Sequence, residues 1–242
     1  MAKESLCKQH YIELFEESQK ILTESFSEDN EKRMNISHSC IHDYEIYLKT
    51  LKERPEIAVY EAALCEYQFS LLALAAGYYR HAYSGLRYML EMTLAGVSFS
   101  ANEYHLRQWM NSERDVNWSS INDKGDGVLS KNFFRAFCPE LVDEVPHYQA
   151  LAASAYRELS EYVHGNVNTH EYLPSNFVYN EEVFNQWHVK AKSVRIILLF
   201  ALTGRYFRHI SDKEDSNLTE LLLSEFSHIE GVRILLGAPA KD

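Results

Sequence analysis

The sequence LLALAAGYYRHAYSGLRYMLE, from Leu71 to Glu91, contains the end of one apolar helix and the start of the next. The first helical pattern opens at Pro55, a residue favoured in first turns, and runs to Gly77, a natural helix stop. Apolar residues then recur at three- and four-residue intervals, which predicts a second helix with one buried face. Its inner stripe is Tyr79, Tyr83, Leu86, Leu90 and Leu94.

The composition favours the same class of structure. The chain has 242 residues, of which 46% are hydrophobic and 13% aromatic, with only nine Gly and five Pro. A chain of this length buries a substantial core, and few turn residues favour helices over a sheet protein. We therefore predict an all-α fold in one compact unit.

Further helical patterns flank the first pair. Residues 1–54 form a charged N-terminal extension with two predicted helices that separate near FSEDNEK. A third core helix is predicted from Pro146 to His164 and a long fourth one from about Asn180 to His209, so the core spans residues 55–209. The last segment, 210–242, is predicted to carry a C-terminal amphipathic helix.

The pattern loosens between the second and third core helices, over residues 102–146. NWSSINDKGDGVLS, within this insertion, is typical of loops. The insertion also carries the large side chains of Trp109, Trp118, Phe133, Phe134 and Phe137. Because such side chains fill cores first, we predict that the insertion packs on the core, as a pocket cover or part of an interface, rather than contacting a substrate directly.

The charge excludes one class of protein. With 24 Lys and Arg against 35 Asp and Glu, the net charge of −11 argues against a monomer that coats nucleic acid non-specifically, so any RNA contact must be local. The clearest basic cluster, 188–195, continues at Arg205, Arg208 and His209. We expect a solvated helix face there.

The cysteines and the hydropathy indicate a soluble cytoplasmic protein with no membrane partner. No C-x-x-C pair occurs, so neither a disulfide framework nor a Cys-rich zinc site is expected; the cysteines are Cys7, Cys40, Cys65 and Cys138. His38 and His42 stand one helical turn apart but lack a further ligand group, and we predict no metal and no cofactor. The longest apolar run, Ile196 to Leu202, is too short to cross a bilayer.

YRELSEYVHGN, from Tyr156 to Asn166, brings two basic residues to one face of the third core helix. Arg157 and His164 lie about 10 Å apart along the axis and within about 20° of each other around it. Small Ala153 and Ser160 share this face and leave room for another helix or a substrate. The predicted core stripe, on the opposite side, is Leu151, Ala155, Leu159 and Tyr162.

This pair has the chemistry needed for RNA cleavage without metal. An imidazole can take a proton from a ribose 2′-hydroxyl or give one to a leaving 5′-oxygen, and a guanidinium can stabilise a phosphate in the transition state. Because one pair has one acid–base group, two copies across a two-fold axis would complete the site. The alternative is structural: a His before the terminal Gly165 is favoured by the helix dipole, and a surface Arg needs no function.

The order of elements resembles the HEPN superfamily over about residues 55–209. The resemblance is carried by the helix ending LLALAAG, the restart at YYRHAYSGLRYMLE, the insertion, the helix ending RELSEYVHGN and the long helix after it. It implies a four-helix up-and-down core with an R-x4-6-H motif, matched by Arg157 and His164. It also implies a homodimer through the motif helices and, commonly, a metal-independent endoribonuclease from an anti-phage or toxin–antitoxin system.

Four other side chains could support the pair. Ser160 shares its face, Glu161 lies on the flank, and Asn166 could donate to a phosphate, although a solvated Glu and a turn Asn are ordinary alternatives. Arg87 could reach the site from the second core helix, although an i,i+4 pair with Glu91 is the more ordinary expectation.

Two main functions follow as hypotheses. The first is an RNA-cleaving effector of a bacterial defence or toxin system that acts as a dimer. The second is a catalytically silent interaction module that assembles with a partner NTPase or nucleotidyltransferase-type regulator. Glu158 favours the second, because many active HEPN members carry Asn, Asp or His after the motif Arg. A small-ligand binder that uses the Trp-rich insertion is a third and weaker hypothesis.

Overall fold

The structure is a computed structural model that describes residues 5–211 and 216–237. These residues form helices and turns and no strand, which confirms the predicted all-α fold. Positions 1–4 of the predicted N-terminal extension, and 212–215 and 238–242 of the predicted C-terminal segment, lie outside the described residues. The described α-helices are α1 (Leu6–Ser25), α2 (Glu28–Thr50), α3 (Ile57–Ala75), α4 (Tyr79–Ala101), α5 (Glu103–Met110), α6 (Trp118–Ile121), α7 (Lys131–Phe137), α8 (Val145–His164), α9 (Val167–Tyr172), α10 (Glu181–Ser211), α11 (Ser216–Phe226) and α12 (Glu230–Leu235).

Five long helices, α2, α3, α4, α8 and α10, alternate in direction and share one core. The second and third of them are antiparallel, since Ser70 on α3 donates to the carbonyl of Ala82 on α4 while Tyr60 lies beside Gly96. Helix α4 is also antiparallel to α8 and parallel to α10, and α10 contacts α2, α4 and α8. The end of α8 therefore lies at the same end of the bundle as the start of α4.

Residues 197–203 of α10 are buried on every side, because six of these seven residues are apolar. Helix α3 is the one helix in the described ranges that is long and apolar enough to cross a membrane. Its Val59, Tyr60, Ala63 and Leu74 are buried in the bundle core, while Phe69 and Leu72 are exposed on its other side.

Tyrosine hydroxyls cross the apolar core in pairs with partners on other helices. Tyr44 is 2.7 Å from the hydroxyl of Thr93, and Tyr47 is 2.7 Å from that of Thr203. The hydroxyls of Tyr60 and Tyr206 are 2.9 Å apart. Tyr206 also donates to the fully buried Glu56, which accepts a second bond from Arg54. These hydroxyls are therefore satisfied without water.

The insertion packs on the core, as predicted. Phe134 on α7 is fully buried and stacks on Phe200 of α10, with ring centroids 5.0 Å apart. Trp118 on α6 stacks on Tyr156 of α8 at 3.9 Å. The loop-rich segment thus contains short helices whose aromatic side chains fill the space beside α8 and α10.

The later part of the chain differs from the sequence analysis at two places. Between the third and fourth core helices, the polar stretch GNVNTHEYLPSN contains a further helix, α9, in which Thr169 is buried against the bundle and its hydroxyl donates to the carbonyl of Asn166. The single predicted C-terminal helix is divided into α11 and α12 in the described part. Gly231 at the start of α12 lies so close to the Glu140 carbonyl that a Cβ would be 2.0 Å from its oxygen.

Two members of the basic cluster at 188–195, His188 and Arg195, do not lie on a solvated helix face, whereas Lys192 is exposed as expected. His188 is 8% exposed, and its Nδ1 is 2.7 Å from the hydroxyl of Ser37. Arg195 donates from Nε to Asp43 at 2.7 Å and pairs through its other two nitrogens with Glu225. The expectation is wrong at these positions because α10 is surrounded by neighbours, which the charge pattern alone did not indicate.

Candidate functional site

Helix α8 presents the predicted motif from a well-defined helix end. It opens at Val145 with Pro146 in its first turn and ends at His164. Gly165 follows with φ of 67°, a left-handed conformation that glycine adopts without strain. Of the predicted core stripe, Ala155, Leu159 and Tyr162 are buried and Leu151 is half-buried.

Arg157 and His164 are both exposed, on the side of α8 away from the core. Neither side chain has a hydrogen bond or an ion pair with any described residue. Ala153, on the same side, is exposed as well, while Ser160 is half-buried. The motif pair therefore has free donors and an open approach, as its place on the helical wheel predicted.

Arg87 connects α4 to the motif helix. It donates from Nε to the Ser160 hydroxyl at 3.0 Å and from a terminal nitrogen to the Tyr156 hydroxyl at 2.6 Å. It also forms the i,i+4 pair with Glu91, at 3.2 Å, so Arg87 contacts the motif helix while it keeps a partner on its own helix. Since Ser160 also donates to the carbonyl of Tyr156, its hydroxyl supports the helix contact more directly than it supports Arg157.

Glu158 is turned toward α10. Its carboxylate pairs with Lys190 and accepts a hydrogen bond from Ser154 at 2.7 Å. Partial burial alone would raise the pKa of Glu158, but the bonds from Lys190 and Ser154 outweigh it and hold that pKa below its ordinary value. Glu158 is thus charged and pairs with Lys190 on α10, and the positive charge of the neighbouring Arg157 also lowers its pKa.

Glu161 and Asn166 lie on either side of His164 at the end of the motif helix. The Glu161 backbone carbonyl accepts the N–H groups of Gly165 and Asn166, which caps the end of α8. Its half-buried side chain lines a cavity of about 370 Å³ between α8, α9 and α10. Asn166 is exposed at the start of α9, and its side chain makes no cap bond there.

A second cavity at this end of the bundle involves residues that the sequence did not single out. It measures about 390 Å³ and lies between the turn from α3 to α4 and the chain after α9. Arg80 and His81 line one side, and His170 and Phe177 line the other. The signal in the sequence was weak, because the two contributing segments are about 90 residues apart.

The described residues contain no group of three or more His, Cys, Asp or Glu side chains that could hold a metal ion. His38 and His42 are exposed on α2, while Cys40 between them is buried. All four cysteines are free, and burial raises the pKa of Cys40 and of Cys138 to about 12. Neither buried thiol is therefore a nucleophile at neutral pH.

Comparison of the chain with protein-family models, with curated proteins and with solved structures gave no match. The function must therefore be inferred from the residues and their geometry.

Proposed function

We propose that this protein is a metal-independent endoribonuclease in which Arg157 and His164 carry the reaction. The observation that carries the proposal is the pair itself: an imidazole and a guanidinium, both exposed and unpaired, on the outer face of α8. A purely structural Arg or terminal His commonly binds a carboxylate or a helix carbonyl. The side chains of Arg157 and His164 make neither contact with a described residue.

The reaction is an internal transfer of phosphorus from the 5′-oxygen to the 2′-oxygen of the same RNA strand. The ribose 2′-oxygen attacks phosphorus, the bond to the 5′-oxygen breaks, and the products are a cyclic phosphate and a 5′-hydroxyl end. A neutral His164 takes the proton of the 2′-hydroxyl, and a protonated His164 from a second copy of the chain gives one to the leaving oxygen. Arg157 binds the phosphate and stabilises its growing charge. The active species is therefore a homodimer in which two α8 helices meet.

The contact between Glu158 and Lys190 supports activity despite the acidic residue beside Arg157. A carboxylate whose charge is offset by a lysine repels a phosphate much less than a free one. Lys190→Met should accordingly slow cleavage, and the double change with Glu158→Gln should restore it. Equal rates for all these variants would show that the carboxylate has no influence on the substrate.

The direct test uses labelled mixed RNA with EDTA present. His164→Ala and Arg157→Ala should each lower the cleavage rate by about 10²- to 10⁴-fold, as expected for loss of an acid–base group or of charge stabilisation. His38→Ala, at an exposed histidine on α2, is the matched control and should cleave like the parent. Cleavage that survives His164→Ala, or a parent that cleaves no RNA as a dimer, would refute the proposal.

The cellular role we propose is that of a cytoplasmic effector in bacterial defence or a toxin–antitoxin system, with a protein partner as regulator. A silent assembly module is the second candidate. The feature that favours it is α1, on which Leu6, Tyr11 and Phe15 are 89%, 65% and 64% exposed. Apolar side chains exposed to this degree along one helix are typical of a surface that contacts another protein.

A further inference from the structure

The cavity beside the end of α8, here called the end cavity, differs in charge from the rest of the molecule. The chain carries 35 Asp and Glu against 24 Lys and Arg. No Asp or Glu is among the residues that line this cavity, whereas Arg80, His81 and His170 are. Its volume of about 390 Å³ lies within the range of small-molecule sites. The lining therefore suits a ligand with negative charge.

Two aromatic rings, one from each of the two segments, also line the end cavity. Tyr78 and Phe177 line the end cavity and meet edge to face, with centroids 5.2 Å apart. The same two rings line a neighbouring hollow on α1, next to Tyr11 and Phe15. Tyr78 is 37% exposed, so an incoming flat ring has access to it. Aromatic faces beside positive side chains are the usual means of binding single-stranded nucleic acid.

Arg80 joins the end cavity to the motif helix. One of its terminal nitrogens donates to the carbonyl of Tyr162, two residues before His164, at 2.6 Å. Its guanidinium makes no other hydrogen bond or ion pair with a described residue, so its remaining N–H groups are available to a phosphate. His170 also lies close to the end of the motif helix, since a Cβ placed on Gly165 would be 3.6 Å from the Nε2 atom of His170.

We propose that the end cavity binds one nucleotide of a single-stranded RNA, close to the phosphate that is cleaved. The base lies against Tyr78 and Phe177, and Arg80 with His170 contacts the adjoining phosphate. This assignment rests on the proposed function for its place in the reaction, but the binding itself does not require that the strand be cut. An RNA strand and a free nucleotide both offer a base joined to a phosphate. We assign the end cavity to the RNA strand.

The test measures binding separately from cleavage. A fluorescein-labelled hexauridylate is titrated with the full chain carrying His164→Ala, in EDTA, and anisotropy is recorded. Phe177→Ala removes one stacking face, and His170→Gln removes an exposed imidazole that holds no described hydrogen bond. Each should weaken binding at least about fivefold, since a stacked base commonly contributes that much or more. Tyr104→Ala, at a 68% exposed tyrosine on α5, should bind like the parent.

The outcomes separate this inference from the proposed function. If the unmodified chain cuts no RNA but the two cavity variants still lose binding, the endoribonuclease proposal fails and the cavity assignment stands. If the unmodified chain cuts RNA but both cavity variants, with unchanged melting curves, bind the hexauridylate like the parent, the cavity assignment fails alone. Binding of 5′-AMP that hexauridylate cannot displace would also overturn it, because the site would then serve free nucleotides.

Discussion

Acid should weaken this fold through one buried imidazole, that of His188 between α2 and α10. Its Nδ1 meets the hydroxyl of Ser37 at 2.7 Å, while its Nε2 is buried with no partner among the described residues. Burial, and then the positive charge of Arg33, lower the pKa of His188 to about 4. In an unfolded chain the same group titrates near about 6.5.

Acid lowers the free energy of unfolding because the unfolded state binds the proton at a higher pH than the folded state. As pH falls below about 6.5, the unfolded chain takes up a proton at His188 while the folded chain does not, so unfolding becomes more favourable. The full contribution to stability is present above about pH 6.5 and is lost as pH approaches 4. Between pH 8 and pH 4.5 this group alone should remove about 2.5 kcal/mol from the free energy of unfolding.

Urea unfolding followed by tryptophan fluorescence at pH 8 and at pH 4.5 measures this loss. The comparison variant is His188→Asn, whose amide can replace Nδ1 in the contact with Ser37 but does not titrate. The acidic side chains are the same in both proteins, so their contribution to the pH dependence cancels in the difference. The parent should lose about 2.5 kcal/mol more than the variant. His38→Asn, at an exposed position, should lose as much as the parent. If parent and His188→Asn have the same pH dependence within about 0.5 kcal/mol, the buried neutral imidazole is refuted.

Two further substitutions test the packing and the ion pairs of the bundle. Gly96→Ala would place a Cβ 2.4 Å from the ring of the fully buried Tyr60, so we expect a loss of about 1–3 kcal/mol in urea unfolding. Arg195→Met should cost about 3–5 kcal/mol, because it leaves Asp43 and Glu225 near each other without their shared cation.

Each of these two substitutions, Gly96→Ala and Arg195→Met, has a matched control in the same chain. Gly125→Ala, at an exposed glycine in the insertion, should change the free energy of unfolding by less than about 0.5 kcal/mol. Arg107→Met breaks an exposed i,i+4 pair with Glu103 and should cost less than about 1 kcal/mol. If a core variant costs no more than its control, the corresponding contact does not stabilise the fold as described.

The long helices could be predicted because each carries a complete local signal. Pro146 is a local start signal for α8 and Gly165 is a local stop signal. The apolar stripe between them identified the buried face. Helix α9 was not predicted because its six residues, VNTHEY, carry no apolar periodicity and its one buried side chain is the polar Thr169. The division between α11 and α12 depends on a close approach to the Glu140 carbonyl, which is a tertiary contact without periodicity.

The same distinction applies to the candidate site. Exposure of Arg157 and His164 follows from the wheel of one helix, so sequence sufficed. The pairing of Glu158 with Lys190 joins residues 32 positions apart on different helices. The end cavity likewise has lining residues from distant parts of the chain, such as Arg80 and Phe177, which only the folded bundle brings to one place. Such contacts depend on which helix faces are neighbours, and a single sequence does not specify that.

The tyrosine hydroxyls in the core have a consequence for how uniquely the helices fit together. Apolar side chains of similar size would tolerate a shift of one helix by a single turn along its neighbour. Such a shift of α2 would leave the buried hydroxyls of Tyr44, Tyr47 and Thr93 without a partner, at about 1–3 kcal/mol for each orphaned group. The polar contacts therefore select one register of α2, α3, α4 and α10 among several that apolar packing alone would permit. The height of α8 beside α4 is fixed separately, by the hydrogen bonds of Arg80 and Arg87.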